Sequence, residues 1–188
     1  MVGFGGKQAW LAVRGGDPAE VLDALRLRDL GEVPWRDGID LAYLTDDRVA
    51  VTPALPGAGN TPWVLAAGRW LMRPGTAVDV IGLSGRLHTE VQFFATHRVG
   101  EVHRWQRAVD GTPVRTFGYV GETGEVTSWY GEPDPAERDA GLPGELTDEA
   151  TVLVSEQDVL RVAHAWSVDP TALDSRPAPG PLRLGAVS

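Results

Sequence analysis

Cysteine is absent from the chain, and this absence excludes a group of structures and reactions. There is no disulfide framework, and no thiolate can act as a nucleophile or as a zinc ligand. Long apolar runs are absent as well, so no segment is predicted to span a membrane. The first residues, MVGFGGKQAWLAVRGG, do not follow the pattern of a secretory signal. We therefore expect a cytoplasmic protein that does not bind a membrane.

Sequence motifs for common cofactors are also missing. The chain has no phosphate-binding loop of the GxxxxGK type and no GxGxxG after a predicted strand. Ser84 lies in the triplet LSG, without the glycine frame of a nucleophile elbow. The histidines follow no strong metal-binding spacing. We expect no cofactor and no metal.

The composition that remains is that of an acidic globular protein. The chain has 188 residues, of which 43% are hydrophobic and 23% are charged, and its net charge is −9. Such a charge disfavours nucleic acid and favours a basic protein as a partner. We predict one domain over residues 1–173, followed by a Pro/Gly-rich C-terminal tail over residues 174–188.

Helix-start signals and apolar periodicity give the order of the elements. Asp17 followed by Pro18 is typical of a helix N-terminus, Thr76 is a candidate cap for a helix that ends near Leu87, and Ser155 can cap a later helix. Strands are predicted between and after these helices. The pattern predicts an α+β fold with a mainly antiparallel sheet and helices packed on one side.

A four-strand meander over about residues 90–130 is the clearest part of this sheet. Asp110-Gly111 favours a two-residue hairpin that places Trp105 opposite Thr116 and His103 opposite Gly118. A three-residue turn at 122–124 places Val120 opposite Val126 and Phe117 opposite Trp129. A similar turn at 98–100 places Phe93 opposite Trp105.

Side-chain alternation along these strands then predicts two different faces. One face is apolar and suits a core. The other mixes aromatic side chains with Arg and Gln, which is typical of a surface that contacts a partner. The alternative is that a helix or loop covers this face and the Arg side chains extend to its rim. The predicted binding residues are Gln92, Phe94, Arg104, Gln106, Arg115, Phe117, Tyr119 and Trp129.

A second candidate site lies at one end of the meander. The predicted register places His97 opposite Glu101, with His103 next along the same face, which suits acid–base chemistry. The alternative is a His–Glu ion pair at the rim of the sheet. If the protein is an enzyme, we expect these three residues to act in a pocket between the meander and the loop at 53–62.

The segment HTEVQFFATHRVGEVHRWQRAVDGTPVRTFGYVGETGEV resembles a stretch of uncharacterised bacterial α+β proteins of actinobacterial type. In that family a similar meander precedes a short helical C-terminus, and the resemblance covers about residues 63–173. It implies a stand-alone bacterial domain and transfers no catalytic residue. Some small acidic bacterial α+β proteins are immunity proteins against secreted toxins, which is an analogy of class.

Three functional hypotheses follow from these patterns. The first is a non-catalytic protein that binds a protein or peptide through the aromatic and Arg-rich face, in the manner of an immunity protein. The second is an enzyme or accessory factor for a small molecule of bacterial specialised metabolism, using His97, Glu101 and His103. The third is a homodimer that forms through the same face.

Overall fold

The computed structural model describes residues 1–73, 78–147 and 149–187. Within them the α-helices are α1 Pro18–Ala24, α2 Trp35–Leu44, α3 Val80–Leu87, α4 Pro135–Asp139 and α5 Glu156–Trp166. The strands are β1 Ala9–Arg14, β2 Arg28–Val33, β3 Arg48–Val51, β4 Leu55–Gly57, β5 Thr61–Ala67, β6 Glu90–His97, β7 Val102–Val109, β8 Thr112–Val120, β9 Glu125–Tyr130 and β10 Leu182–Ala186. Short 3-10 helices cover Ala58–Asn60, Arg69–Met72 and Pro170–Leu173.

All these strands belong to one sheet whose order is β2-β10-β3-β5-β1-β6-β7-β8-β9, with β4 paired to β5. Every pair in the sheet is antiparallel. The predicted α+β class, the antiparallel sheet and the four-strand meander of β6 to β9 are confirmed. Among the described residues, no helix combines the length and the apolar character needed to cross a membrane.

The C-terminal residues do not form the predicted tail. Strand β10 pairs with β2 on one side and with β3 on the other. Its side chains Leu182 and Leu184 are 0% and 4% exposed. The Pro/Gly-rich segment before it carries the chain back to the sheet, so the predicted domain end at residue 173 is wrong. The alternating sequence LRLGA is a short signal for this strand.

Two hydrophobic cores lie on opposite faces of the sheet, because neighbouring side chains of a strand point in opposite directions. On β1, Trp10 belongs to the first core and Leu11 to the second. Helices α4 and α5 pack together on one side of the meander, where Val159 and Val162 join the first core. Helices α1 and α3 contribute Leu22, Leu83 and other apolar side chains to the second core.

Local capping agrees with the sequence where the structure describes it. The Asp17 carboxylate accepts hydrogen bonds from the backbone N–H groups of Ala19 and Glu20 at 2.8 and 3.2 Å, so the predicted start of α1 is confirmed. Thr76 lies outside the described residues, and Asp79 caps α3 instead. Ser155 caps α5 as predicted, and it forms a capping box with Asp158.

The meander keeps its predicted strands but changes two registers. Phe117 pairs with Trp129 as predicted, while Val120 pairs with Glu125 rather than Val126. Four residues, 98–101, connect β6 to β7, so Trp105 pairs with Phe94 rather than Phe93. This shift by one residue moves the side chains of β7 to the opposite face from the predicted one.

A second shift occurs between β7 and β8. The Asp110-Gly111 turn has positive φ at both residues, 45° and 76°, as a two-residue hairpin requires. A β-bulge lies between Arg107 and Ala108, close to this turn. On the side of the bulge away from the turn, Trp105 pairs with Phe117 and His103 with Tyr119. The predicted pairs with Thr116 and Gly118 are therefore wrong by one residue.

Candidate functional site

The aromatic face of the meander is buried in the first core. Gln92, Phe94 and Phe117 are 0% exposed, and Arg115 and Tyr119 are 2% exposed. The prediction that these side chains form a contact surface is therefore wrong. Helices α4 and α5 cover the face, as the alternative interpretation proposed, but Arg115 does not extend to the rim.

Arg115 and Glu137 form the centre of this buried face. Arg115 Nε donates to Glu137 Oε1 at 2.8 Å, and Trp105 Nε1 donates to the same oxygen at 2.6 Å. The Arg115 guanidinium also donates to the carbonyl oxygens of Tyr130 and Gly131 and lies 4.3 Å from the centroid of the Trp129 ring. Glu137 belongs to the capping box of α4, so this ion pair attaches the helix to the meander.

A second polar network, formed by Gln92, Glu90 and Arg107, lies next to the Arg115–Glu137 pair. Gln92 Nε2 donates to Glu90 Oε1 at 2.7 Å and to the carbonyl oxygen of Trp166 at 3.2 Å. Arg107 Nε lies 2.6 Å from Glu90 Oε1, and its guanidinium is 5.6 Å from the Trp166 ring centroid. These contacts attach α5 to β6 and β7.

The remaining predicted binding residues are separated. Arg104 and Gln106 lie on the opposite face of β7 because of the register shift, with Arg104 exposed and Gln106 half-buried. Trp129 stays on the aromatic face and is half-buried. The eight residues therefore do not form one surface.

The second predicted site is not assembled either. His97 pairs with Val102 across the β6–β7 connection rather than with Glu101. Glu101 is exposed in the connecting turn, with φ 46°. His103 is buried, and its Nδ1 lies 3.1 Å from Thr96 Oγ1. The strand face that carries His103 is the face opposite to that of His97.

Glu156 at the start of α5 is a central residue that the sequence did not indicate. Its carboxylate accepts hydrogen bonds from Arg98 Nε at 2.9 Å, from the Lys7 backbone N–H at 3.3 Å and from Thr96 Oγ1 at 3.4 Å. Burial acts to raise the pKa of Glu156, but these hydrogen bonds and the charge of Arg98 outweigh it, so the pKa is lowered.

The pKa of the neighbouring His103 is lowered from its ordinary value. Burial is the largest cause, and the negative charges of Glu156, Glu101 and Asp158 act in the opposite direction. Folding therefore makes the imidazole harder to protonate than it is in the unfolded chain.

An apolar groove of about 580 Å³ is formed by segments that are distant in the sequence. One wall is β4 and the residue that follows it, and the others are the end of α5, the 3-10 helix Pro170–Leu173 and the segment 176–179. We call this cavity the apolar groove. Its apolar walls include Leu55, Val168, Leu173, Pro177 and Pro179, and its polar lining includes His164, Asp169 and Arg176.

The apolar groove could not be predicted from the sequence, because its walls come from distant parts of the chain. Residues 55–58 do line a cavity, as the hypothesis of a pocket beside the 53–62 loop required, but its other walls are residues 164–179 and Met1 rather than the meander. Segments about 110 positions apart meet only in the fold, as when the Ala58 N–H donates to the Ser167 carbonyl oxygen at 2.8 Å. No pattern of neighbouring residues predicts a contact between segments so far apart in the sequence.

No family model, no curated protein and no solved structure matches this chain. Among the described residues, no group of three or more His, Asp or Glu side chains is arranged to hold a metal ion. The geometry of the apolar groove is therefore the feature that marks it as the candidate site.

Proposed function

We propose that this is a non-catalytic binding protein that recognises a peptide segment of a protein partner in the apolar groove. The volume and lining of the groove carry this proposal. Pockets of about 300–1,000 Å³ with apolar walls and a few polar groups are the usual form of binding sites. The groove has this size, these walls and polar side chains of both charges, Asp169 and Arg176.

The edge of β4 limits how a peptide can bind there. Pro56 is paired with Pro62 across β4 and β5, and neither residue has a backbone N–H to donate. An added strand would therefore find no donor at Pro56, and proline is a common means of blocking such edges. Recognition rests instead on apolar side chains of the peptide that insert between Leu55, Val168 and Leu173.

Charge favours a basic partner around this apolar anchor. The chain carries a net charge of −9, which accelerates association with a positively charged protein and makes binding sensitive to salt. A cytoplasmic location and a role like that of immunity proteins, with a basic toxin as partner, are part of this proposal.

Two substitutions that replace an alanine by phenylalanine test the groove. Ala172 is exposed and lines the groove, whereas Ala165 is exposed on α5 outside the groove lining. Short random peptides are selected by display on the wild-type protein, and their affinity is measured by fluorescence anisotropy. We expect Ala172→Phe to weaken the selected peptides about tenfold or more, because the ring occupies their site. Ala165→Phe should change affinity by less than about twofold.

Two outcomes contradict the proposal. One is that display enriches no peptide, and the other is that the selected peptides bind both variants equally. Thermal unfolding of both variants confirms that each is folded. Raising the salt concentration should weaken peptides that carry Lys or Arg, since exposed charge interactions are screened.

A further inference from the structure

A second cavity, of about 470 Å³, lies at one end of the sheet. Four basic side chains line it: Lys7 before β1, Arg69 and Arg73 after β5, and His97 at the end of β6. Antiparallel pairing brings the chain segments together, because Ala9 pairs with Ala95 and Trp10 with both Ala67 and Phe94. We call this cavity the basic cavity.

The charges in the basic cavity are unusual for this protein. The chain has 26 acidic and 17 basic Lys and Arg residues, so carboxylates are available to pair with most cations. Among the described residues of the lining, only Asp46 contributes a carboxylate, and it lies 3.4 Å from Arg69 Nε. Within the described residues, no carboxylate forms an ion pair with Lys7 or Arg73.

The basic cavity therefore has an excess of positive charge in a protein with a net charge of −9. Unpaired cations repel each other, and an anion between them removes that repulsion. Guanidinium and ammonium groups together are the usual ligands of phosphate, because they supply several charge-assisted hydrogen bonds.

The apolar part of the lining indicates what the anion is attached to. Tyr43 is 41% exposed and Leu44 is 70% exposed at the rim of the cavity, and Met72 is part of its wall. Exposed aromatic and aliphatic side chains beside a charged site give contact area to a planar or apolar body. A cavity for free phosphate alone would not need this volume.

The backbone at Lys7 makes a left-handed turn at the edge of the basic cavity. Its φ is +56°, a left-handed conformation that glycine adopts without strain and that lysine adopts at a cost. The backbone N–H of Lys7 donates to Glu156 Oε2 at 3.3 Å. Gly5 and Gly6 precede it, so a lysine stands where folding alone would favour a third glycine. Six other non-glycine residues of the described chain also have positive φ, so the proposal rests on the charges and the lining of the cavity, and the turn explains how the Lys7 side chain is placed there.

We propose that the basic cavity binds a small molecule that carries a phosphate monoester on a planar or apolar body. Lys7, Arg73 and His97 bind the phosphate, Arg69 joins them beside Asp46, and Tyr43, Leu44 and Met72 contact the body. This site is separate from the apolar groove, and the two proposals stand or fall independently.

Phenyl phosphate, inorganic phosphate, benzoate and phenol form a matched set of probes, and two-dimensional NMR titration of the full chain measures their binding. We expect saturable shifts around Lys7 and His97 with phenyl phosphate, weaker binding of inorganic phosphate, and the weakest binding of benzoate and phenol. Equal binding of benzoate would overturn the assignment to phosphate. Equal binding of phenol, or the absence of saturable shifts with phenyl phosphate, would overturn the site.

Variants with opposite expected effects separate binding from folding. Lys7→Gln and Arg73→Gln should each weaken phenyl phosphate about three- to tenfold, because each removes one charge-assisted contact. Asp46→Asn should strengthen it, since it removes the carboxylate that pairs with Arg69 in the lining. Arg138→Gln, an exposed arginine on α4, is the control and should leave affinity unchanged. Weaker binding in Asp46→Asn, or equal losses in Arg138→Gln and Arg73→Gln, would contradict the proposal.

Discussion

The aromatic face of the meander and the basic cavity both combine arginine with aromatic side chains, and they differ in what surrounds each cation. Arg115 is buried against Glu137, two carbonyl oxygens and the Trp129 ring. Arg73 and Lys7 are exposed. A buried cation without its partner is very costly, whereas an exposed one remains solvated and free to exchange water for a ligand. The first arrangement stabilises the fold, and the second suits binding.

This difference shows why side-chain types on a strand do not by themselves identify a binding surface. Arginine, glutamine and aromatic residues on one sheet face are compatible with a contact surface and with a polar network under a helix. Glu137 and Trp166 decide between the two, and both lie outside the meander on α4 and α5. The decisive partners are distant in sequence.

Arg115→Ala gives the largest expected effect. We expect the free energy of unfolding to fall by about 3–5 kcal/mol, because Glu137 is left buried without its counterion. Arg104 was predicted on the same face but is exposed on the other, so Arg104→Ala should change this free energy by less than about 0.5 kcal/mol. Urea denaturation of the two variants measures both values. Similar values for the two arginines would remove the distinction between the buried network and the exposed surface.

The sequence predicted the elements of this region better than their alignment. Asp110-Gly111, the Phe117–Trp129 pair and the Asp17 cap were predicted correctly because each depends on a few neighbouring residues. The register of β7 was wrong because four residues rather than three form the turn at 98–101, and neither length has a distinctive composition. One wrong residue count reversed the faces of Trp105, Arg104 and Gln106.

Other features had no local signal at all. The position of β10 between β2 and β3 depends on pairing with strands that are distant in the sequence. The Pro/Gly-rich segment before β10 is typical of a tail and gives no signal for this pairing. The apolar groove and the basic cavity combine segments that meet only after the sheet has formed. Lys7 and His97 illustrate this, since 90 positions separate them and the β1–β6 pairing brings their ends of the sheet together.

Glu156 lies between the two regions and should give an intermediate effect. Glu156→Gln should lower the free energy of unfolding by about 1–2 kcal/mol near neutral pH, because it weakens charge-assisted hydrogen bonds from Arg98 and Lys7. The lowered pKa means that the carboxylate stabilises the folded state above its ordinary pKa of 4.5 and that this contribution is lost as the pH falls further. The difference between wild type and variant should therefore shrink below pH 4.5. A difference that stayed constant through acid pH would show that Glu156 is not held as a carboxylate.

His103 should act in a higher pH range. Its lowered pKa means that the folded state binds a proton less readily than the unfolded chain does, so stability falls as the pH drops below 6.5. His103→Asn has no imidazole to protonate. Its free energy of unfolding should therefore change less with pH than that of the wild type between pH 6.5 and the lower pKa of the folded state. Urea midpoints measured across this range compare the two proteins, and parallel profiles would contradict the lowered pKa of His103.

Lys7→Gly gives the smallest expected effect on stability and tests the comparison most directly. Glycine adopts φ +56° without the strain of a side chain, and its N–H still donates to Glu156. We expect the free energy of unfolding to rise by about 0.5–1 kcal/mol, or at least not to fall. Binding of phenyl phosphate should weaken as it does in Lys7→Gln. Lys7→Ala keeps the strain and loses the charge, so it should weaken binding without any gain in stability. A loss of stability in Lys7→Gly would mean that the lysine side chain serves the fold, as Arg115 does, and that the two regions differ less than their exposure indicates.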